Sequence, residues 1–490
     1  MVTYILYLVT TFLVLGCGFV FGFLRKVNEW MYLRKLGEKR HFLPPGDMGL
    51  PWAGKMLSFL WAFRSSDPDS MISSFISRYG RTGIYKTLLF GKPTVIVCAP
   101  ETCIRALADE KDFKLGYPET TQELIGRFHD VSNAKHKRLR RLTAAPITGS
   151  ESLSRYIDIV QEVITASLDE WASLDRPIEF FTEIKKAAFK VVMHVFLGSE
   201  ETDDAFAEKL SLLYTDVNQG LNALGLNFPG SSFYRARKAK KELEKIIHKL
   251  VDRRISMREK NDAVDRTMDL LDLLIAEEDE DGSKLDKEEI ADILHLYLLA
   301  SHESTAYAMM WVMICLHENP KTLEKAREEQ VQMLKRRDPT KKGLSIQEIK
   351  QMSYLSKVID EMLRRVNIAA ALYREANTDV TMNGYIIPKG WKVLASLRAV
   401  HMDPENHIEP KEFNPSRWEN QRSKAGAFIP FGAGSRFCPG NEFAKLEIFI
   451  LLHHFLLNYE LERSNPKCPV VYFPAPKPKD NFQARIKRVV

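Results

Sequence analysis

Phe431-Gly432-Ala433-Gly434-Ser435-Arg436-Phe437-Cys438-Pro439-Gly440 is the stretch on which the fold turns. It fills every specified position of the pattern F-x-x-G-x-R-x-C-x-G, and an apolar segment with helical spacing follows over residues 443–456. The glycines permit a tight turn that brings backbone close to a flat cofactor. Cys438 stands just before a helix N-terminus, where the dipole and the unpaired N–H groups favour a thiolate. The same donors tune a metal by hydrogen bonding to its sulfur ligand. A lone Cys-Pro-Gly would read as a buried cysteine beside a turn. The whole matched set, with the helix behind it, reads as a metal-thiolate site.

Two upstream segments belong with this turn. Glu361-Met362-Leu363-Arg364 sets an acid and a base three apart on one helix face. On a surface such a pair contributes only about 0.3 kcal/mol. Phe413-Asn414-Pro415-Ser416-Arg417-Trp418 then offers a second arginine, Arg417. Further upstream, Ala300-Ser301-His302-Glu303-Ser304-Thr305 interrupts a long apolar helix expected from Lys287 to His317. Polar groups in a buried helix are costly unless something uses them.

In this order and spacing the segments resemble the cytochrome P450 superfamily. The resemblance implies a mainly α fold with small β-sheets behind a single N-terminal transmembrane helix. It implies haem b with Cys438 as the axial thiolate, the ligand type that pushes electron density toward O–O cleavage. Phe431, Gly434 and Gly440 shape that turn. It implies dioxygen as cosubstrate and electrons from NADPH through an NADPH-cytochrome P450 reductase. Glu361, Arg364 and Arg417 become a structural triad. Arg140, Arg374 and Arg436 become propionate ligands, a task suited to guanidinium forks, with His136 where the family often has Trp. Ala300 lies against the haem, Glu303 and Ser304 relay protons during oxygen activation, and Thr305 stands beside them. Two departures are Ser301 where Gly is usual and Ser304 where Thr is commonest. Ser301 is expected to bond the preceding turn's carbonyl.

The rest of the chain fits this reading. The protein has 490 residues and a formal net charge of +6, which does not argue for nucleic-acid binding. Its six cysteines are scattered without CxxC spacing, as expected of free thiols in a reducing compartment. Residues 4–24 form an uncharged apolar run long enough to span a bilayer, and Arg25, Lys26, Arg34, Lys35, Lys39 and Arg40 follow it. The positive-inside rule then leaves the catalytic domain in the cytosol, and the family resemblance implies the endoplasmic reticulum membrane. The expected organisation is an anchor over 1–24, a basic and proline-rich hinge over 25–51, and a monooxygenase domain over 52–490. In the basic run 135–141, Lys137, Arg138 and Arg141 are expected on the surface that meets an acidic reductase.

Strands are expected at 83–89 and 94–98 around a turn at 90–93, at 380–382 and 385–387 around Asn383-Gly384, and at 392–396. Helical periodicity covers 68–78, 151–174, 178–196, 238–258, 323–334 and 346–365. Asp286 and Glu289 form a capping box that opens the long apolar helix, after an acidic loop over 277–281.

Beyond the superfamily motifs, Leu43-Pro44-Pro45-Gly46-Asp47-Met48-Gly49, Ile84-Tyr85-Lys86-Thr87, Phe113-Lys114-Leu115 and Asn383-Gly384-Tyr385-Ile386-Ile387-Pro388 resemble the plant kaurenoate-oxidase-like family. That family includes ent-kaurenoic acid oxidases and triterpenoid oxidases. Ile368, Ala369, Ala370 and Ala371, with Leu299, are expected to line the substrate pocket. Three alanines open volume for a bulky apolar ring system, so a triterpenoid is favoured, with ent-kaurenoic acid as the alternative. A haem-thiolate isomerase or dehydratase and a non-catalytic haem protein are the rival classes. Glu303 and Ser304 argue against both.

Overall fold

The computed structural model describes residues 2–65, 67–126, 133–198, 203–221, 223, 225–259, 268–279, 282–338, 340, 343–420 and 424–489. Helices dominate, and a six-stranded mixed sheet sits to one side. The helix Lys287–Glu318 runs through the main core, with Ala306 and the residues from Met309 to Leu316 buried on every side. An apolar sequence all round its circumference forces that placement. Its start is the expected capping box: Glu289 N donates to Asp286 Oδ1 at 2.7 Å, and Asp286 N donates to Glu289 Oε2 at 3.3 Å. Of the acidic loop before it, residues 280 and 281 lie outside the described residues.

The sheet runs in the order Gly46–Asp47, Ile84–Leu89, Lys92–Val97, Lys392–Ala395, Leu372–Ala376, Phe113–Leu115. Its second and third strands pair antiparallel from Ile84↔Val97 to Leu89↔Lys92. The turn is therefore Phe90-Gly91 alone, tighter than the four residues the sequence suggested, and Pro93 lies in the strand opposite Leu88. Asn383-Gly384 joins Val380–Met382 to Tyr385–Ile387 with φ of 49° and 78°. Two consecutive positive φ values match the hairpin turn that Asn-Gly favours.

Three segments depart from the periodicity reading. Ile178 and Glu179 are a short strand paired with Ala484 and Gln483, and the helix starts only at Phe180. The apolar spacing runs unbroken through both, so it hides the junction. The helix expected over 346–365 is two, Ile346–Gln351 and Ser353–Val366, because Met352 leaves helical geometry at ψ 66°. Part of the expected hinge is built into the domain: Gly46 and Asp47 pair parallel with Lys86 and Thr87, and Leu43 and Met48 are buried.

At the N-terminus the backbone is one helix, Val2–Leu33. Its last turns dock on the domain, where Asn28 donates to Met48 O at 2.8 Å and Arg25 pairs with Asp47. Phe19, Phe21 and Phe23 are exposed. Among the described residues no helix is long and apolar enough to cross a membrane. No disulfide joins the described cysteines, and Cys98, Cys103, Cys315, Cys438 and Cys468 are free.

Candidate active site

The cysteine turn is built by local hydrogen bonds. Cys438 N donates to Phe431 O at 3.0 Å, and Phe437 N donates to Gly434 O at 3.1 Å. The helix Asn441–Asn458 begins immediately beyond. Gly434 has φ +73°, and a Cβ there would stand 2.6 Å from Ala108 Cα and 2.9 Å from Leu107 O. The glycine is thus demanded by its backbone angle and by the neighbouring helix Pro100–Ala108. Gly434→Ala is expected to destabilise the turn by about 1–3 kcal/mol. The measurement is thermal unfolding beside haem content per chain, and unchanged values of both would refute this reading.

A cavity of about 810 Å³ extends from this turn to the long helix. Arg436, Phe437 and Pro439 line one end, with His136 and Arg140. The helix Lys287–Glu318 contributes Leu299, Ala300, Glu303 and Ser304. Thr305 is buried and is not on the cavity wall. Ser301 Oγ donates to Tyr297 O at 2.7 Å and Ser304 Oγ donates to Ala300 O at 2.8 Å. Both serines therefore bond back into the helix, and the Ser304 oxygen keeps acceptor capacity at the cavity wall.

Buried and half-buried cationic groups gather at the cysteine end. Burial pushes the Cys438 thiol up, partly offset by the Gly440 N–H and the Arg140 guanidinium. A cation at sulfur is what would tip it to thiolate. His136 is held down to about 4, first by burial and then by Arg436 and Arg140, so it is neutral, and its buried Nδ1 has no hydrogen bond. Arg374 is buried beside this wall without lining it, bonded to the Tyr373 and Leu107 carbonyls at 3.0 and 3.4 Å. Burial lowers the pKa of both Arg374 and Arg436. An unbonded imidazole nitrogen and several desolvated guanidiniums fit the two carboxylates of a haem. Among the described residues no three or more His, Cys, Asp or Glu side chains cluster as a metal site. A single cysteine suits an iron whose other ligands come from a macrocycle.

Glu361, Arg364 and Arg417 do meet. Arg364 Nη2 donates to Glu361 Oε1 at 2.8 Å and its Nε to Oε2 at 2.9 Å. Arg417 Nε donates to Oε1 at 3.0 Å, and Trp418 Nε1 to Oε2 at 3.2 Å. Both Glu361 and Arg364 are wholly buried.

Other placements differ from expectation. Ile368 and Ala369 line the cavity, but Ala370 and Ala371 do not. The chain turns away from the cavity after Ala369 and enters the strand Leu372–Ala376. Ala371 packs in the separate apolar cluster around Phe59 and Phe75, and the Ala370 carbonyl accepts from Arg398 N at 3.1 Å. Phe431 lies against Phe437 instead of on the cavity wall. The basic run is largely paired within the chain: Arg138 and Arg141 both reach Asp279, Lys135 reaches Glu289 at 3.0 Å, and Lys137 reaches Glu110 at 3.3 Å.

Sequence reasoning missed several wall residues. Lys185, Asn218 and Lys477 line the same cavity. Lys185 Nζ lies 3.4 Å from Glu303 Oε1. His302 is wholly buried, held down to about 3 chiefly by burial, and so neutral. It accepts from Asn218 Nδ2 at 3.2 Å on Nδ1 and meets Ser211 Oγ at 3.1 Å on Nε2, tying the helix Asp204–Leu221 to the long helix. No periodicity signals such convergence. Only the polarity of residues 301–305 hinted that something faced them.

This geometry belongs to a known class: residues 44–480 match cytochrome P450, and the chain belongs to that family. It is therefore a haem-thiolate monooxygenase, and family and fold imply haem iron and oxygen-dependent chemistry. It is 50% identical over 480 residues to ent-kaurenoic acid oxidase 2 of Arabidopsis thaliana, covering 98% of this chain and 97% of the relative. A 7,8-epoxymelianol synthase of Ailanthus altissima is 49% identical, covering 96% of this chain and 94% of the relative. Beta-amyrin 11-oxidase of Glycyrrhiza uralensis is 48% identical, with 96% of each chain covered. Among solved structures, retinoic acid bound cyanobacterial CYP120A1 superposes with a TM-score of 0.78 at 25% identity, covering 91% of this chain and 99% of that one.

Proposed function

We propose that this protein oxidises a polycyclic terpenoid, taking electrons from NADPH through an NADPH-cytochrome P450 reductase. The single observation that carries the reading is one cavity joining the Cys438 turn to Glu303 and Ser304. Relatives near 50% identity that act on triterpenoids and on ent-kaurenoic acid supply the substrate class. Cys438 would hold the iron of haem b, which would supply the oxygen-activating chemistry when bound. Arg140, Arg374, Arg436 and His136 hold its carboxylates. Leu299, Ala300, Ile368 and Ala369 press an apolar skeleton toward that end of the cavity and exclude water. Glu303 and Ser304 line the route by which protons would reach that end of the cavity, one as a carboxylate and the other as a hydroxyl.

The proposed setting is the endoplasmic reticulum membrane, with the N-terminal helix as anchor and the catalytic domain in the cytosol. The apolar run over 4–24, the basic residues after it and the exposed Phe19, Phe21 and Phe23 support this.

Co-expression with a plant reductase, followed by product analysis on triterpene alcohols and ent-kaurenoic acid, tests the function. An oxidised product dependent on both reductase and NADPH is expected; turnover without them, or of neither class, would overturn it. Ser304→Ala is expected to keep NADPH consumption while product per NADPH falls at least about tenfold. Unchanged coupling would remove Ser304 from the proton path.

A further inference from the structure

The cavity wall also carries two lysines that the proposed chemistry does not use. Lys185 rises from the helix Phe180–Leu197, and Lys477 stands in the C-terminal segment. Lys185 Nζ is shared between Thr215 Oγ1 at 3.3 Å and Glu303 Oε1 at 3.4 Å. Lys477 Nζ donates to the amide oxygen of Asn481 at 3.0 Å, and among the described residues it makes no ion pair. Asn481 Nδ2 in turn donates to Glu179 at 3.1 Å, so that carboxylate is reached only through the amide. Burial pulls the Lys477 pKa down; Glu303 and Glu179 oppose this and the Lys185 ammonium adds to it. A half-buried cation without a carboxylate partner is a desolvated donor in want of an anion.

The position of Lys477 is fixed by its surroundings. Its backbone pairs with Val471, and the preceding Pro476 carbonyl accepts from Trp311 Nε1 of the long helix at 2.6 Å. The ammonium also lies 5.4 Å from the Phe181 ring centroid. Rigid elements therefore present it to the cavity.

We propose that Lys477, with Lys185 and Asn481, is an anion-recognising subsite that takes a carboxylate carried by a polycyclic apolar substrate. The carboxylate accepts from the two ammoniums while the ring system extends along Leu299 and Ile368 toward the Cys438 end. This rests on the terpenoid reading above and specifies which terpenoids are preferred: those bearing a carboxylic acid.

The test uses the full-length haem-loaded protein with reductase. Spectral titrations and turnover are measured for matched sets of one skeleton, as free acid, methyl ester and alcohol, on a diterpenoid and a triterpenoid frame. Acids are expected to bind at least about tenfold more tightly than their esters. Lys477→Met should erase that difference by weakening acid binding, leaving ester binding within about twofold, and Lys477→Arg should retain it. Equal binding of acid and ester to the unaltered protein, or an acid preference that survives Lys477→Met, overturns the subsite. Turnover of the neutral compounds in that case leaves the terpenoid reading standing. No binding or turnover of any compound overturns both.

Discussion

Cys438→Ala is expected to give a folded protein that has lost the spectrum of a thiolate-ligated haem and all reductase-dependent turnover. The backbone bond from Cys438 N to Phe431 O at 3.0 Å survives the change, as does the helix that starts after Gly440. Removing one half-buried sulfur costs on the order of 1 kcal/mol of packing, small against the about 5–15 kcal/mol of a typical domain. The chemical loss is total because none of the other described cysteines lines the cavity. Absorption spectra of the reduced, carbon monoxide-treated protein read the ligand, and unfolding curves read the fold. A thiolate spectrum in the variant would refute the assignment. Loss of fold together with spectrum would show that the cysteine's packing matters more than its place suggests.

Glu361→Ala is expected to destabilise the fold by about 3–5 kcal/mol. Its carboxylate accepts from Arg364, Arg417, Trp418 and the Asn414 N–H, the last at 3.0 Å. Arg364 has further bonds to the His401 and Glu412 carbonyls at 3.0 and 3.1 Å. Truncation leaves two buried guanidiniums without their counter-ion, which is far worse than never having had the pair. The same substitution at an exposed pair, such as Glu183 with Lys186, should change stability by less than about 1 kcal/mol. Denaturant titration of both variants makes the comparison, and similar losses would rule out a special role for Glu361. The cluster also binds the helix Ser353–Val366 to residues 401–418. Weakened haem retention should therefore accompany the loss of stability.

What could be read from the sequence was local chemistry. A Cys in a glycine turn, an acid and base three apart, Asn-Gly between short strands and Asp286 before Glu289 each carry their geometry in adjacent residues. The predominantly helical fold with small sheets followed from periodicity. What escaped was convergence across the chain. Lys185 and Lys477 meet in one cavity although nothing in either neighbourhood marks them. Ile178 pairs with Ala484 near the C-terminus, a partner its own apolar spacing cannot name. The alanines show the reverse error: Ala369, Ala370 and Ala371 look alike in sequence, yet only the first faces the cavity. The argument for a wide pocket and a triterpenoid thus loses two of its three supports.

The internal pairing of the basic helix Asn133–Thr148 bears on association kinetics. Lys135, Arg138 and Arg141 share the carboxylates of Asp279 and Glu289, so most of their charge is offset within the chain and the field they present is largely dipolar. Dipole fields die away well within the Debye length of about 8 Å at physiological salt. If the proposed reductase meets this helix, long-range steering by it is expected to be weak and capture to depend on short-range fit. The association rate should fall less than about threefold between low and physiological ionic strength. Asp279→Asn, by removing the carboxylate that Arg138 and Arg141 share, should make that rate faster and more sensitive to salt.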